Sequence, residues 1–220
     1  MRTVSRLPNS LRIVTDEMNE LDTVALGAWV GVGSMYEPAE INGISHLLEH
    51  MVFKGTTTRS ARQIAEEIEN VGGYFNACTS RETTSFYIKV LKEDLPLAVD
   101  ILADILLHST FAPEEFDREK AVVLQEINQS VDTPDDIVFD YFQETAFPNQ
   151  AFGRPVLGSV ETVKGVSRET LNHYLKSNYT PDRTVLAASG NVKHDVFVSL
   201  VEKAFAELSP AKGFEAAQPS

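Results

Sequence analysis

The sequence predicts an α/β (α+β) fold in which a mainly antiparallel sheet is covered by helices. Three observations predict it. Apolar residues recur at every second position early in the chain, the period changes to helical spacing after Gly43, and two strand-like runs near residues 74–91 are separated by three polar residues. Strands and helices are therefore mixed rather than strictly alternating, which argues against a parallel doubly wound sheet. With 220 residues, 43% of them apolar and 23% charged, the chain can bury one substantial core. One domain is expected over 1–209, followed by a small, polar, linker-like tail over 210–220.

The elements follow in order. Residues 11–15 and 23–32 read as strands, the second through Val24, Leu26, Ala28, Val30 and Val32, and the two are expected to pair. Ile44, Leu47, Leu48, Met51 and Val52 then form the apolar face of a short helix. Ser60 with Gln63 has the form of a capping box and Gly72-Gly73 that of a stop, which bounds a helix over 61–71. Residues 74–79 and 83–91 read as a hairpin joined by Ser80-Arg81-Glu82. Helices are expected over 95–107, from Pro113 with Glu114 and Glu115 in its first turn, and from Thr133-Pro134. The breaks between 148 and 158 predict a long surface loop, followed by a helix over 168–177, a strand over 184–189 and a helix over 195–208.

Composition narrows the function. The apolar residues form no run long enough for a transmembrane helix, and the first fifteen residues lack the apolar core of a secretory signal. A cytoplasmic location without membrane attachment is the expectation. The single cysteine, Cys78, excludes a thiolate metal cluster. A net charge of −13 disfavours nucleic acid and favours cationic peptides as partners, although acidity is also a common route to solubility.

The chemistry concentrates at His46-Leu47-Leu48-Glu49-His50. On a helix, His46 and His50 stand one above the other, with Glu49 about 60° round from His46. Two neutral imidazoles bind zinc firmly, and a third protein ligand leaves one position open for water. A nearby carboxylate can then take that water's proton. The order His-x-x-Glu-His is the inverted form of the thermolysin-type motif and requires a distal acidic ligand. Glu126 is the best candidate, on a helix whose apolar residues pack it against the core. Glu119 shares its azimuth but lies about 10 Å along the axis, too far for the same shell. On spacing alone, Glu119 is equally an orienting partner of a ligand histidine or a plain surface carboxylate.

The run from His46 to Thr56, with Gly33-Ser34 and Tyr36-Glu37 before it and Asn76-Ala77 through Glu82 to Thr84 after it, resembles the pitrilysin and mitochondrial processing peptidase family. The resemblance continues through Arg118-Glu119, Glu126-Ile127, Gly158, Tyr179-Thr180-Pro181 and Gly190. It implies that His46, His50 and Glu126 bind zinc, that Glu49 is the general base and that Glu119 supports the site. It also implies that the strand holding Asn76 and Ala77 pairs with the backbone of an extended peptide. The implied function is a zinc metalloendopeptidase. Enzymes of that family contain a second related domain without the metal motif, so a further domain, a separate subunit or a second copy of this chain is the expected partner. The alternative is a non-catalytic subunit of an assembly sharing the family fold. Of the remaining residues, His108, His173 and His194 are expected at the surface outside any ligand set, Cys78 as a buried inert thiol, and Trp29 and the phenylalanines in core packing.

Overall fold

A computed structural model describes residues 2–209. The tail read at 210–220 lies outside the described residues. Six strands form one sheet: β1 (Arg2–Arg6), β2 (Arg12–Glu17), β3 (Thr23–Val30), β4 (Tyr74–Thr79), β5 (Thr84–Leu91) and β6 (Thr184–Gly190). Their order across the sheet is β1-β2-β6-β3-β5-β4. Only β2 and β6 run parallel; every other neighbouring pair is antiparallel. The mainly antiparallel sheet therefore matches the expectation, with one correction. β2 and β3 do not pair, because β6 enters between them and bonds to both. No local pattern announces a strand some 150 residues away.

Among the described residues there are eight α-helices: α1 (Ile44–Met51), α2 (Ala61–Asn70), α3 (Leu95–Leu107), α4 (Pro113–Asp132), α5 (Pro134–Ala146), α6 (Val160–Gly165), α7 (Arg168–Asn178) and α8 (His194–Ala204). The strand alternation sorts residues to two faces. Ile13, Val24, Leu26, Ala28, Phe86, Ile88, Val90 and Leu186 are buried in the core with residues of α1, α3, α7 and α8. Ala25, Lys89 and Leu91 alternate with them on the exposed face. α3 is apolar nearly all round and lies against β3, β5 and α8, as a helix without a polar face must.

Two elements were absent from the sequence reading. β1 carries Arg2, Val4 and Arg6 outward and half-buried Thr3 and Ser5 inward, so its periodicity is polar and pairing with β2 defines it. α6 starts on the Ser159–Thr162 capping box inside what reads as a loop exit. The 148–158 segment is also more than a surface loop. Asn42 Nδ2 donates to Pro155 O, Arg154 Nη2 donates to Glu37 O, and the buried Gly153 and Gly158 lie within it. The last helix ends at Ala204 rather than at 208. Among the described residues, no helix is long and apolar enough to cross a membrane.

Candidate metal centre and catalytic groove

α1 buries Ile44, Ser45, Leu47, Leu48 and Met51, which turns His46, Glu49 and His50 toward β4 and α4. α4 is twenty residues long and buries Phe116, Glu119, Val123 and Ile127. That stripe holds the neighbouring Glu126 over α1 at the rim of the core. Glu126 Oε2 stands 3.6 Å from His46 Nε2 and 3.5 Å from His50 Nε2. Tetrahedral zinc with ligand bonds of about 2.1 Å has edges of about 3.4 Å. The three ligand atoms lie within 4.8 Å of one another, and no other such group occurs among the described residues. Two imidazole nitrogens and a carboxylate oxygen at this spacing form a donor set that suits a zinc ion.

The surroundings fit ligation. Burial, followed by the nearby His50, pushes the His46 pKa down to about 4. Its imidazole is thus neutral at pH 7, the form that binds metal. Glu119, only 4% exposed, places Oε2 3.1 Å from His50 Nδ1 and Oε1 2.8 Å from Lys54 Nζ. With the proton on Nδ1 donated to Glu119, His50 Nε2 keeps its lone pair for a metal.

Glu49 faces the same space. Burial raises its pKa, partly offset by Thr79 Oγ1, which donates to Glu49 Oε2 at 2.5 Å. Thr79, through its hydroxyl and its backbone N–H, thereby orients the Glu49 carboxylate toward the histidines. Thr79 shares the inward face of β4 with Phe75 and Ala77. A groove of about 440 Å³ lies beside them, lined by Glu49, His50, Phe53, Lys54, Ala61, Ala65, Phe75, Asn76 and Ala77. Phe53 stacks on Phe75 at 5.1 Å between ring centroids. β4 is the edge strand at this end of the sheet. The Ala77 N–H donates to the Asn76 side chain (2.8 Å) rather than to another strand.

The structure thus brings His46, Glu49, His50, Glu119, Glu126, Asn76 and Ala77 to one region. The sequence reading missed Thr79 and Lys54; strand alternation from Ala77 was the available signal for the first, and none was available for the second. Other expectations are corrected. Cys78 is exposed, because it alternates with Ala77 to the outer face of β4. Trp29 is 41% exposed on the open sheet face and Phe139 68% exposed on α5, which buries no residue, so core packing explains neither. His194 is buried between the hydroxyls of Ser5 (2.7 Å) and Thr15 (2.8 Å). His108 is partnered by Asp104, four residues before it on α3, at 3.2 Å.

The fold and this site define the class: a mixed-sheet domain with an inverted His-x-x-Glu-His motif on a helix beneath a sheet edge. Residues 12–160 match the model of the insulinase family, peptidase family M16, and residues 165–220 match that of the peptidase M16 inactive domain. The chain belongs to the insulinase family, peptidase family M16. It is 47% identical over 205 residues to an uncharacterized zinc protease of Bacillus subtilis, YmxG, covering 93% of this chain and 50% of that one. Against the mitochondrial-processing peptidase subunit beta of Bos taurus it is 44% identical over 211 residues, covering 96% of this chain and 43% of the relative. A solved protease from Helicobacter pylori shares the fold, with a TM-score of 0.93 at 23% identity, covering all of this chain and 53% of that one. The chain spans about half the length of the curated relatives it matches. The boundary between the two family models runs through a single sheet here, since β6 lies in the second segment and pairs with β2 and β3 of the first.

Proposed function

We propose that this chain is the catalytic domain of a zinc metalloendopeptidase acting on extended peptides. The observation that carries the reading is the convergence of His46 Nε2, His50 Nε2 and Glu126 Oε2, with Glu49 on the same helix, beside a free strand edge. Zinc held by these three residues would supply Lewis-acid polarisation of a scissile carbonyl and acidify a water. Glu49, oriented by Thr79, accepts the proton of the attacking water and passes it to the departing amine. The substrate adds as a strand to β4, its carbonyl replacing Asn76 Oδ1 on the Ala77 N–H. Side chains beside the cleaved bond enter the groove floored by Phe53 and Phe75. The net charge of −13 favours cationic peptides.

A second homologous domain or subunit, or a second copy, completes the substrate chamber in this reading. The support is the length of the relatives, about twice that of this chain, and the match of its last part to a second domain model. The competing role, a non-catalytic assembly subunit, requires none of the ligand geometry. Glu49→Gln separates the two: it keeps the size of the side chain but cannot take a proton. The expected result is zinc content unchanged, with peptide cleavage reduced at least about 100-fold. Cleavage at the unaltered rate excludes Glu49 as the base.

A further inference from the structure

The helix that carries the metal motif has no cap of its own. Its N-cap is Gly43, at φ 96°, without a side-chain hydrogen bond to the first turn. A Cβ at Gly43 would meet Leu157 O at 2.5 Å, so the 148–158 segment excludes the serine or aspartate that ordinarily caps a helix. The first N–H groups of α1 still need acceptors. Glu37, six residues before Gly43 and 3% exposed, provides them for the Gly43 cap and for Ser45. Its Oε2 accepts from Gly43 N at 2.7 Å and Asn42 Nδ2 at 2.8 Å, and its Oε1 accepts from Ser45 N at 2.8 Å. Both oxygens are therefore spent on the entry to α1.

Burying a carboxylate is an expensive way to start an eight-residue helix, because desolvation disfavours the charged form. What the arrangement supplies is definition in three dimensions. The carboxylate fixes residues 42, 43 and 45 at once, and His46 follows directly. Arg154 donates to the Glu37 carbonyl and Tyr174 OH meets Ser45 Oγ at 2.8 Å, so the anchor is itself held from two sides. We propose that Glu37 is a positioning residue for the metal site: its carboxylate fixes the start of α1 so that His46 and His50 face Glu126 before metal arrives. This rests on the zinc-site reading above.

The test measures zinc affinity by competition with a chelating dye and records the visible spectrum of the cobalt-substituted protein. It compares the unaltered chain, Glu37→Gln, and Phe197→Leu as a buried lesion on α8. Glu37→Gln keeps the volume but loses one acceptor and the charge. The expected result is an affinity about tenfold lower with an altered cobalt spectrum, while Phe197→Leu, at a similar loss of melting temperature, retains both. Unchanged affinity in folded Glu37→Gln overturns the proposal, as does an equal loss in Phe197→Leu. If Glu37→Gln does not fold, amide hydrogen exchange of the zinc-free unaltered chain decides. Protected Gly43 and Ser45 amides support the anchor, and free exchange until zinc is added overturns it. An unaltered chain that takes up no zinc refutes the site assignment itself, which separates that failure from failure of the Glu37 role.

Discussion

Two clusters of charged and histidine side chains lie within this domain, and they are built on opposite logic. In the first, Arg59 sits among Asp104 (3.0 Å), Asp100 (2.6 Å) and Glu67 (3.0 Å). Thr56 and Thr58 donate to Asp104 at 2.7 and 2.8 Å, and His108 closes the other oxygen. Every carboxylate there has a donor, and Asp104 has one on each oxygen. In the second, His46, His50 and Glu126 turn potential ligand atoms toward one point, and among the described residues no lysine or arginine pairs with Glu126. Nearby Lys54 is instead paired with Glu119. The difference shows how to tell a charged cluster that holds a fold from one that awaits a ligand. Counting acidic and histidine residues does not separate the two; asking what satisfies each lone pair does.

The largest expected effect breaks the second cluster. Glu126→Ala removes the proposed distal ligand, and zinc affinity should fall by more than about 100-fold, with turnover falling to background. Dye competition measures it, and retained affinity would end the analogy with a tetrahedral site. Next in size is Arg59→Met, which leaves Asp104, 5% exposed, without its cation. A loss of about 3 kcal/mol in denaturant unfolding is expected, with zinc affinity intact. A simultaneous loss of zinc would show that the clusters are not independent. Glu119→Gln tests the group that joins both styles, since it accepts from His50 while pairing with Lys54. Zinc binding should weaken about tenfold, less than on loss of a ligand.

The smallest effect concerns acid. Burial alone would raise the Asp104 pKa, but hydrogen bonds from Thr56, Arg59 and Thr58 outweigh it and hold the carboxyl below its ordinary 3.8. A depressed folded value means that the stabilisation is present above the unfolded pKa and is lost as pH falls through the folded one. Asp104→Asn should therefore be less stable than the unaltered chain above pH 4. The gap should narrow as both are acidified below it, and thermal melts across that range measure it. A constant gap would assign the stabilisation to neutral hydrogen bonding.

Much of the site was legible because its signals are local. The period change at Gly43, the spacing of His46 and His50, and the cap at Ser60 each depend on residues within a turn or two, where helix geometry leaves little freedom. Glu126 was reachable from the apolar stripe of its own helix. Strand alternation from Ala77 puts Thr79 on the inward face of β4, but its contact with Glu49 exists only once β4 lies against α1.

The sequence by itself determined the mixed α/β class, the hairpin of β4 and β5, and the set of side chains able to meet a metal, since periodicity and side-chain chemistry are properties of short segments. Only the tertiary structure decided that β6 separates β2 from β3, and that the 148–158 segment clamps the entry to α1. It also decided that Trp29 and Phe139 face outward rather than into the core. These are outcomes of pairing and burial between segments far apart in the chain. There, many arrangements satisfy the same local pattern, and packing of the whole core selects among them.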